Sequence, residues 1–347
     1  SIPDAYSIAI HTDQGIIYHT GDFKIDLTPI DGDVMDMHRI CELSKKGVLL
    51  MLADSTNAEK PGFTMSEKTV GVGLDELFAK GNGRRIIVAT FASNIHRLQQ
   101  IINTAEKFNR KVAISGRSMV NVVGVAKELG YLDISDDMLI DLNDICKYED
   151  SELVIITTGS QGEPMSALAR MAFSEHKKVE IKSGDLVIIS AHPIPGNEKL
   201  ISRVINFLFE KGAEVVYSDI ADIHVSGHAC QEELKLIHAL VRPKFFMPAH
   251  GEYRMLKRHA EIAEQLGMDK ENIFVMQTGD VLELDKNSAK VANRIQTGNI
   301  LVDGLGVGDV GNIVLRDRKH LSEDGLMIVV VTISKDEGKV LAGPDII

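Results

Sequence analysis

The fold class of this chain is decided by the stretch Lys244-Phe245-Phe246-Met247-Pro248-Ala249-His250-Gly251-Glu252-Tyr253. Its apolar first half predicts a buried strand, and the residues from Arg254 onward predict a helix. His250 is therefore expected at the carboxyl end of a strand just before a helix, where α/β folds place ligand-binding residues. Gly251 allows close approach of the backbone, and Glu252 is expected to orient the His250 ring by accepting a hydrogen bond.

Short apolar runs alternate with helical patterns through most of the chain. This alternation predicts an α/β fold with a mainly parallel sheet and helices on both faces. The first two strands are expected to form a hairpin, because turn residues join them. The predicted strands span 5–11, 16–20, 48–52, 86–90, 111–115, 153–157, 186–190 and 214–217. The predicted helices span about 94–108, 165–172 and 198–211, and two more begin near 231 and 254.

The composition is that of a folded protein of two or three domains. The chain has 347 residues, 44% of them hydrophobic and 25% charged, and no apolar run reaches the length of a membrane span. It opens without a signal peptide, and three scattered cysteines without CxxC spacing fit a reducing cytoplasm. A net charge of -12 argues against general nucleic-acid binding but is compatible with a local basic groove.

Two acidic or imidazole side chains at strand ends are candidate metal ligands. A lone histidine in a turn is more often hydrogen-bonded than metal-bound, but the Pro-x-His-Gly-Glu context of His250 favours a ligand for zinc or manganese. Asp22 follows a predicted strand in the segment Thr20-Gly21-Asp22-Phe23-Lys24, and its carboxylate can bridge two cations. The alternative for Asp22 is an ordinary Asx turn.

A second histidine loop, His224-Val225-Ser226-Gly227-His228, precedes a predicted helix near Gln231. The internal glycine and the β-branched valine favour a loop over a helical metal pair, and the HExxH motif is absent. Backbone N–H groups at the helix start, together with Ser226 and two imidazoles, predict a phosphate-binding site. The alternative is a simple helix cap with a buried histidine.

Other polar residues follow the remaining strands. Asp54 follows a buried strand and either orients a histidine or caps the next turn. The loops 91–94 and 158–164 are polar and fit backbone or phosphate contacts, although such loops are common. The basic side chains that fit a groove, or simply a solvated face, are Arg97, Lys111 and Arg117.

Taken together, these motifs resemble bacterial ribonuclease J, in the β-CASP branch of the metallo-β-lactamase superfamily. Thr20-Gly21-Asp22-Phe23-Lys24 resembles the bridging-aspartate motif of that superfamily. Asp54 resembles the aspartate of β-CASP motif A, His228 the histidine of motif B and His250 the histidine of motif C. The resemblance extends over most of the chain and includes the segments 91–94, 116–119 and 158–164.

The resemblance implies a metallo-β-lactamase αββα sandwich interrupted by a β-CASP domain with a mainly parallel sheet. Residues 1–63 and 219–285 are then two segments of the metallo-β-lactamase domain, and residues 64–218 are the β-CASP domain. Residues 286–347 are a linker and the beginning of a C-terminal domain. Because the domain is interrupted, Asp22 and His250 are expected to meet in space.

The resemblance also implies the chemistry of the site. Two zinc ions, with manganese or magnesium as substitutes, are bridged by Asp22, and His250 ligates one of them. His228 and Asp54 are the expected catalytic residues. Asp303 is a candidate calcium ligand. The residues expected to bind the RNA substrate are His224, Val225, Ser226, Gly227, His228, Ser93 and Asn94.

The implied function is a zinc-dependent cytoplasmic ribonuclease in rRNA processing, RNA maturation and mRNA decay. Such enzymes cut RNA internally and also digest it from 5′ to 3′, preferring a 5′ monophosphate. The family further implies a homodimer or homotetramer, partners in RNA degradation, and no membrane association. Alternatives are a non-catalytic RNA-binding scaffold and another hydrolase of the metallo-β-lactamase fold, whose small substrate would not need so large an insertion.

One departure from the family pattern bears on activity. The His-x-His-x-Asp-His metal motif is absent from this sequence, and the family's next histidine ligand stands immediately before the segment that opens here at Ser1. Of the family's metal ligands, Asp22 and His250 are present. We therefore expect the chain to be a segment truncated at both ends that binds metal poorly and is inactive alone, because each zinc needs about four ligands.

Overall fold

The computed structural model describes residues 5–30, 32–163, 165–192, 194, 196–217, 223–298, 300–303, 306–307, 311–324, 329–334 and 340–346. The chain divides into two compact units, the larger spanning Ser1–Gln277 and Leu282–Val291 and the smaller Thr278–Val281 and Ala292–Ile347. Within the described ranges, none of the helices combines the length and the apolar character that crossing a membrane requires.

The larger unit contains the strands and helices that carry the candidate site. Its strands are β1 (Ile8–Thr12), β2 (Gly15–His19), β3 (Val48–Asp54), β4 (Ile86–Ala89), β5 (Lys111–Ser115), β6 (Leu139–Ile140), β7 (Leu153–Thr157), β8 (Leu186–Ile189), β9 (Glu214–Tyr217), β10 (Phe245–Ala249), β11 (Leu282–Leu284) and β12 (Ala289–Val291). Its helices are α1 (Met37–Lys46), α2 (Lys68–Lys80), α3 (Ile95–Lys107), α4 (Arg117–Glu128), α5 (Ala167–Ala172), α6 (Glu198–Glu210), α7 (Gln231–Val241) and α8 (Tyr253–Gln265).

The first sheet has the strand order β1-β2-β3-β10. β1 and β2 form an antiparallel hairpin, whereas β3 runs parallel to both β2 and β10. In the register of β3 and β10, Ala249 lies opposite Asp54. Asp54 and His250 therefore emerge side by side at the same carboxyl edge of this sheet.

Both faces of the first sheet are covered. Helices α1, α7 and α8 pack on one face, against side chains that include Tyr18, Met51 and Phe246. Leu50 and Phe245 lie in a separate cluster on β3 and β10, with residues of the β11–β12 hairpin packed against it. Because neither face of β3 meets water, this strand is apolar until Asp54, as the continuous hydrophobic run predicts.

The second sheet is wholly parallel and has the order β6-β5-β7-β4-β8-β9. Alternate residues of its strands face two cores. Ile86 and Val88 lie in the core with α2, α3 and α4, whereas Ile87 and Ala89 lie in the core with α5 and α6. All six strands fall between β3 and β10 in the sequence, so the second sheet is inserted between two neighbouring strands of the first sheet.

The smaller unit is described for part of its length. It contains β13 (Val302–Asp303) paired with β14 (Gly306–Val307), then α9 (Asn312–Asp324), and β15 (Val329–Ile333) paired with β16 (Val340–Ile346). Both strand pairs are antiparallel.

The α/β fold class with a mainly parallel sheet is confirmed. The predicted domain boundaries stay predictions, and residue 218 lies outside the described residues. Four α-helices in the described residues were not predicted from the sequence, namely α1, α2, α4 and α9.

Candidate metal centre

Asp22, His228 and His250 come together in space although they lie far apart in the sequence. Asp22 follows β2, His228 lies just before α7 and His250 follows β10. One ligand atom of each residue lies within 4.8 Å of the other two. The distance from His250 Nε2 to Asp22 Oδ1 is 3.6 Å, and the rings of His228 and His250 stack with centroids 5.5 Å apart. Two imidazoles and one carboxylate are a donor set that fits zinc.

The backbone before Asp22 needs a glycine. Gly21 has a φ of +63°, and a Cβ added there would lie 2.6 Å from the carbonyl oxygen of Tyr6. The hydroxyl of Thr20 donates to the Gly21 carbonyl at 2.7 Å and accepts from the amide of Asp54 at 3.1 Å. These contacts hold the Asp22 loop against the end of β3.

Asp54 holds the ring of His228. Asp54 Oδ2 lies 2.6 Å from His228 Nδ1, and Asp54 Oδ1 accepts from the amide and the hydroxyl of Thr56 at 3.0 and 2.7 Å. The Asp54 side chain is 1% exposed, whereas that of His228 is 25% exposed. Because Nδ1 is bound to the carboxylate, Nε2 is the ring nitrogen that His228 can present to a metal ion or substrate.

The charges of this pair stabilise each other. Burial alone would lower the pKa of His228, but the hydrogen bond and the charge of Asp54, with a contribution from Asp22, raise it above its ordinary value. Burial alone would raise the pKa of Asp54, but His228 and the hydrogen bonds from Thr56 lower it instead. The pair therefore favours an imidazolium beside a carboxylate.

Two residues that the sequence reasoning did not assign hold the backbone of His228. The amide nitrogen Nδ2 of Asn57 donates to the His228 carbonyl at 2.9 Å and to Ser226 Oγ at 2.8 Å. The hydroxyl of Thr64 donates to the same carbonyl at 2.8 Å. The role of Asn57 could have been predicted from the sequence, because it stands three residues after Asp54 in the same motif. Thr64 belongs to no motif, so nothing in the sequence indicated its role.

His250 adopts an unusual backbone conformation for a residue other than glycine. Its φ is +52°, in the left-handed region. The amide of Ser55 donates to the His250 carbonyl at 3.1 Å. Glu252 does not orient the His250 ring as predicted, since its carboxylate lies 3.2 Å from Nε of Arg254.

His224 lies on the side of the loop that faces the second sheet. Burial lowers the pKa of His224 to about 3, and the charges of Arg97 and His192 act in the same direction. Arg97 Nη1 lies 3.5 Å from His224 Nδ1. Arg97 does not line an open groove, because its side chain is wholly buried in an ion pair with Glu67. His224 is therefore a neutral hydrogen-bonding group.

The rest of the predicted phosphate loop is only partly available to a substrate. The side chain of Val225 is buried in the core, so only its backbone can contact RNA. The amides of Gln231 and Glu232 at the start of α7 already donate to the carbonyls of Lys60 and Gly62, both at 3.0 Å. The prediction that these helix amides bind a phosphate is therefore wrong, because the chain itself occupies them.

The remaining predicted residues are placed as follows. Ser93 is exposed, and Asn94 caps α3 by accepting from the amide of Arg97 at 3.0 Å. The side chain of Asp303 lies outside the described residues, so its role as a calcium ligand stays a prediction. Ser226 and Gly227 are half-buried beside His228.

Three family models match the sequence. The model described as "Ribonuclease J, beta-CASP domain" matches residues 83–208. A model described as "Zn-dependent metallo-hydrolase RNA specificity domain" matches residues 212–276, which include His228 and His250. A third, "Ribonuclease J C-terminal domain", matches residues 313–347.

Several curated proteins are similar to the whole chain. Ribonuclease J 1 of Streptococcus pyogenes serotype M3 is 48% identical over 347 residues, which are 100% of this chain and 62% of that protein. Ribonuclease J2 of Bacillus subtilis strain 168 is 46% identical over 348 residues, again 100% of this chain and 62% of the relative. Ribonuclease J of Synechocystis is 46% identical over 346 residues, which are 100% of this chain and 53% of that protein. The chain thus spans less than two thirds of these relatives.

One solved structure has a similar fold. It is a protein of unknown function from Enterococcus faecalis V583, with a TM-score of 0.55 and 17% identity, covering 83% of this chain and 62% of the other. At that identity the likeness concerns the fold alone. The family models and the relatives go further, and by its sequence the chain belongs to the ribonuclease J family of β-CASP metallo-hydrolases.

Proposed function

We propose that this chain carries part of the active site of a zinc-dependent ribonuclease. The observation that carries the proposal is the meeting of Asp22, His228 and His250 at the carboxyl edge of the first sheet, with Asp54 bound to His228. The similarity to ribonucleases J supports RNA as the substrate and hydrolysis of a phosphodiester as the reaction.

Asp22 and His250 are the proposed metal ligands, and they would hold two zinc ions, with manganese or magnesium as substitutes. A metal bound there supplies Lewis acidity and lowers the pKa of a water molecule, so that hydroxide becomes available near neutral pH. Each zinc needs about four ligands. Three clustered side chains fall short of that number for two ions, so we expect weak metal binding and no robust cleavage by the chain alone.

His228 is the proposed proton donor. Its raised pKa increases the share of the imidazolium over that of an ordinary histidine, and Asp54 keeps a proton on Nδ1. Nε2–H of His228 can then donate a hydrogen bond to an oxygen of the scissile phosphate, or transfer its proton to the departing oxygen. Asp54 acts by orienting the ring and by stabilising its charge.

The RNA path is proposed to run along the loop of His224, Ser226 and Gly227 and past the loop of Ser93 and Asn94. His224 contributes a neutral hydrogen bond to it. We further propose both 5′-to-3′ exonuclease and endonuclease action in RNA maturation and decay, a preference for a 5′ monophosphate, a cytoplasmic location, assembly as a homodimer or homotetramer, and calcium binding at Asp303.

A chimera tests the proposal in a complete family context. This chain replaces the matched region of the Streptococcus pyogenes ribonuclease J 1, and cleavage of a 5′-monophosphorylated RNA is measured with Mn²⁺. We expect cleavage by the chimera and its loss in the Asp22→Ala and His250→Ala versions, while the exposed Asp13→Ala version stays active. A folded chimera without cleavage, which still binds RNA, would instead support the RNA-binding scaffold.

A further inference from the structure

Behind the candidate metal centre, three buried polar side chains form a continuous chain of contacts. Nε2 of His238, on α7, lies 3.2 Å from Nε2 of His259, on α8. Nδ1 of His259 lies 3.0 Å from the hydroxyl oxygen of Ser55, and that oxygen lies 3.2 Å from the carbonyl oxygen of Ala53 on β3. His259 and Ser55 are 0% exposed and His238 is 6% exposed.

The number of available protons determines which atom donates and which accepts in each of these contacts. The carbonyl oxygen of Ala53 can only accept, so the Ser55 hydroxyl proton is used there. The Ser55 oxygen must then accept from Nδ1–H of His259. With both rings neutral, Nε2 of His259 carries no proton and accepts from Nε2–H of His238. This arrangement satisfies all three contacts with the three available protons.

The surroundings keep both rings neutral. The ring of Phe246 makes edge contacts with His238 and His259, at centroid distances of 4.4 and 4.8 Å. Burial lowers the pKa of His238 to about 4, and burial together with His238 holds the pKa of His259 well below its ordinary value. An imidazolium in such an apolar site would be costly without a carboxylate partner.

Ser55 connects this buried pair to the candidate site. It directly follows Asp54, whose carboxylate holds His228. Its amide donates to the carbonyl of His250, the residue with a left-handed backbone. A strained backbone persists only where its surroundings hold it, and Ser55 supplies one of those contacts.

We propose that His238 and His259 are positioning residues, forming a one-directional hydrogen-bond relay from α7 through α8 to Ser55 that sets the placement of Asp54 and His250. The inference rests on the proposed function, because the groups that the relay positions are the proposed catalytic and metal-binding side chains. It requires His259 to be the Nδ1–H tautomer and His238 to be the Nε2–H tautomer.

The tautomers can be measured in the full chain without metal. Long-range ¹H–¹⁵N correlation spectra of ¹⁵N-histidine protein at pH 7 separate the two neutral tautomers and the cation. We expect His259 as Nδ1–H and His238 as Nε2–H. An Nε2–H tautomer or a charged ring at His259 overturns the relay.

Substitutions then test whether the relay positions the site. His259→Leu removes the donor, whereas the amide of His259→Asn can replace Nδ1–H. We expect the ring signals of His228 and His250 to shift in the leucine variant and to return toward wild type in the asparagine variant.

Ser55→Ala is a smaller change for the case in which His259→Leu does not fold. It removes the acceptor for Nδ1–H of His259 and the donor to the Ala53 carbonyl, so the Nδ1–H fraction of His259 should fall and the His228 and His250 signals should shift. The control is His38→Leu, at an exposed histidine of α1. Unchanged His228 and His250 signals in the folded Ser55 and His259 variants overturn the proposal. Because these spectra need no metal, their outcome is distinguishable from a failure of the proposed metal assignment.

Discussion

Nδ1 of His228 lies 2.6 Å from Oδ2 of Asp54 across a sequence separation of 174 residues. The carboxylate is almost fully buried, and the imidazole is partly open to the site. This relationship fixes which ring nitrogen faces the open side of the site, and it makes the protonation of His228 depend on Asp54.

Asp54→Asn should lower the pKa of His228. The substitution removes the carboxylate charge and its strong hydrogen bond, and the burial that then dominates disfavours the imidazolium. The NMR titration of the His228 ring signals measures the change. Asp13→Asn, in the exposed turn between β1 and β2, is the control and should leave the titration as it is. An unchanged His228 pKa in the Asp54 variant would show that Asp54 does not set it.

Gly21→Ala should displace Asp22 and weaken metal binding. The new Cβ would lie 2.6 Å from the Tyr6 carbonyl in addition to the strain of a φ of +63°. Gly32→Ala is a matched control, because Gly32 has a φ of +72° but nothing within 4 Å of an added Cβ. Calorimetry with Mn²⁺ on the chimera described above should show lower affinity for the first variant only. Equal losses would assign the effect to backbone strain rather than to displacement.

Glu67→Gln should destabilise the larger unit strongly. Arg97 Nε donates to Glu67 at 2.6 Å, and the two side chains are 0% and 3% exposed. Removing one partner of a buried ion pair typically costs about 3–5 kcal/mol. Urea unfolding measures the loss.

The control for that loss is Glu42→Gln. Glu42 pairs with Arg39, but the two side chains are 60% and 57% exposed, so the loss should stay below about 1 kcal/mol. Similar free energies of unfolding for the Glu67 and Glu42 variants would contradict the importance of the buried pair.

Stability should fall as the pH is lowered from about 6.5 toward 4. The pKa values of His238 and His259 are lower in the folded chain than in the unfolded chain, so the unfolded chain binds more protons in that range. Each histidine then removes about 1.4 kcal/mol per pH unit below about pH 6.5. His224 acts in the same direction, whereas His228, whose pKa is raised, acts in the opposite one.

Urea unfolding at pH 7 and pH 5 measures this dependence. His238→Gln should make the free energy of unfolding depend less on pH, because one buried titrating group is gone. His38→Gln, which alters an exposed histidine, should keep the wild-type dependence. If His238→Gln also showed the wild-type pH dependence, the burial of His238 would not be the cause of that dependence.

Sequence reasoning was most successful for strands with a continuous apolar run. β5 and β9 begin and end at the predicted residues, Lys111–Ser115 and Glu214–Tyr217. Helix α2 was not predicted, because Gly71 and Gly73 lower its intrinsic helix propensity. Tertiary packing stabilises the helix instead, because Gly71 lets it approach the side chain of Gln100 closely. A Cβ added at Gly71 would lie 3.1 Å from Nε2 of Gln100.

In the candidate site, too, the residues in sequence motifs could be predicted, whereas those brought together only by tertiary packing could not. Asp22, His228 and His250 stand in recognisable motifs at strand or helix ends, so their meeting could be predicted. His238 and His259 are single histidines on helices, and only the packing of α7 against α8 brings them together. The burial of Arg97 could not be predicted from the sequence either, because its partner Glu67 precedes it by 30 residues and belongs to no motif.

The pairing of β3 with β10 also sets a time order for the protein during its synthesis. Asp54 leaves the ribosome early, but its neighbour in the sheet, Ala249, is added 195 residues later (249 minus 54). At about 5–20 residues per second, that interval lasts about 10–40 seconds. Throughout that interval the edge of β3 that later pairs with β10 has no partner strand, so the nascent chain exposes an unpaired apolar strand edge until the inserted sheet has been made.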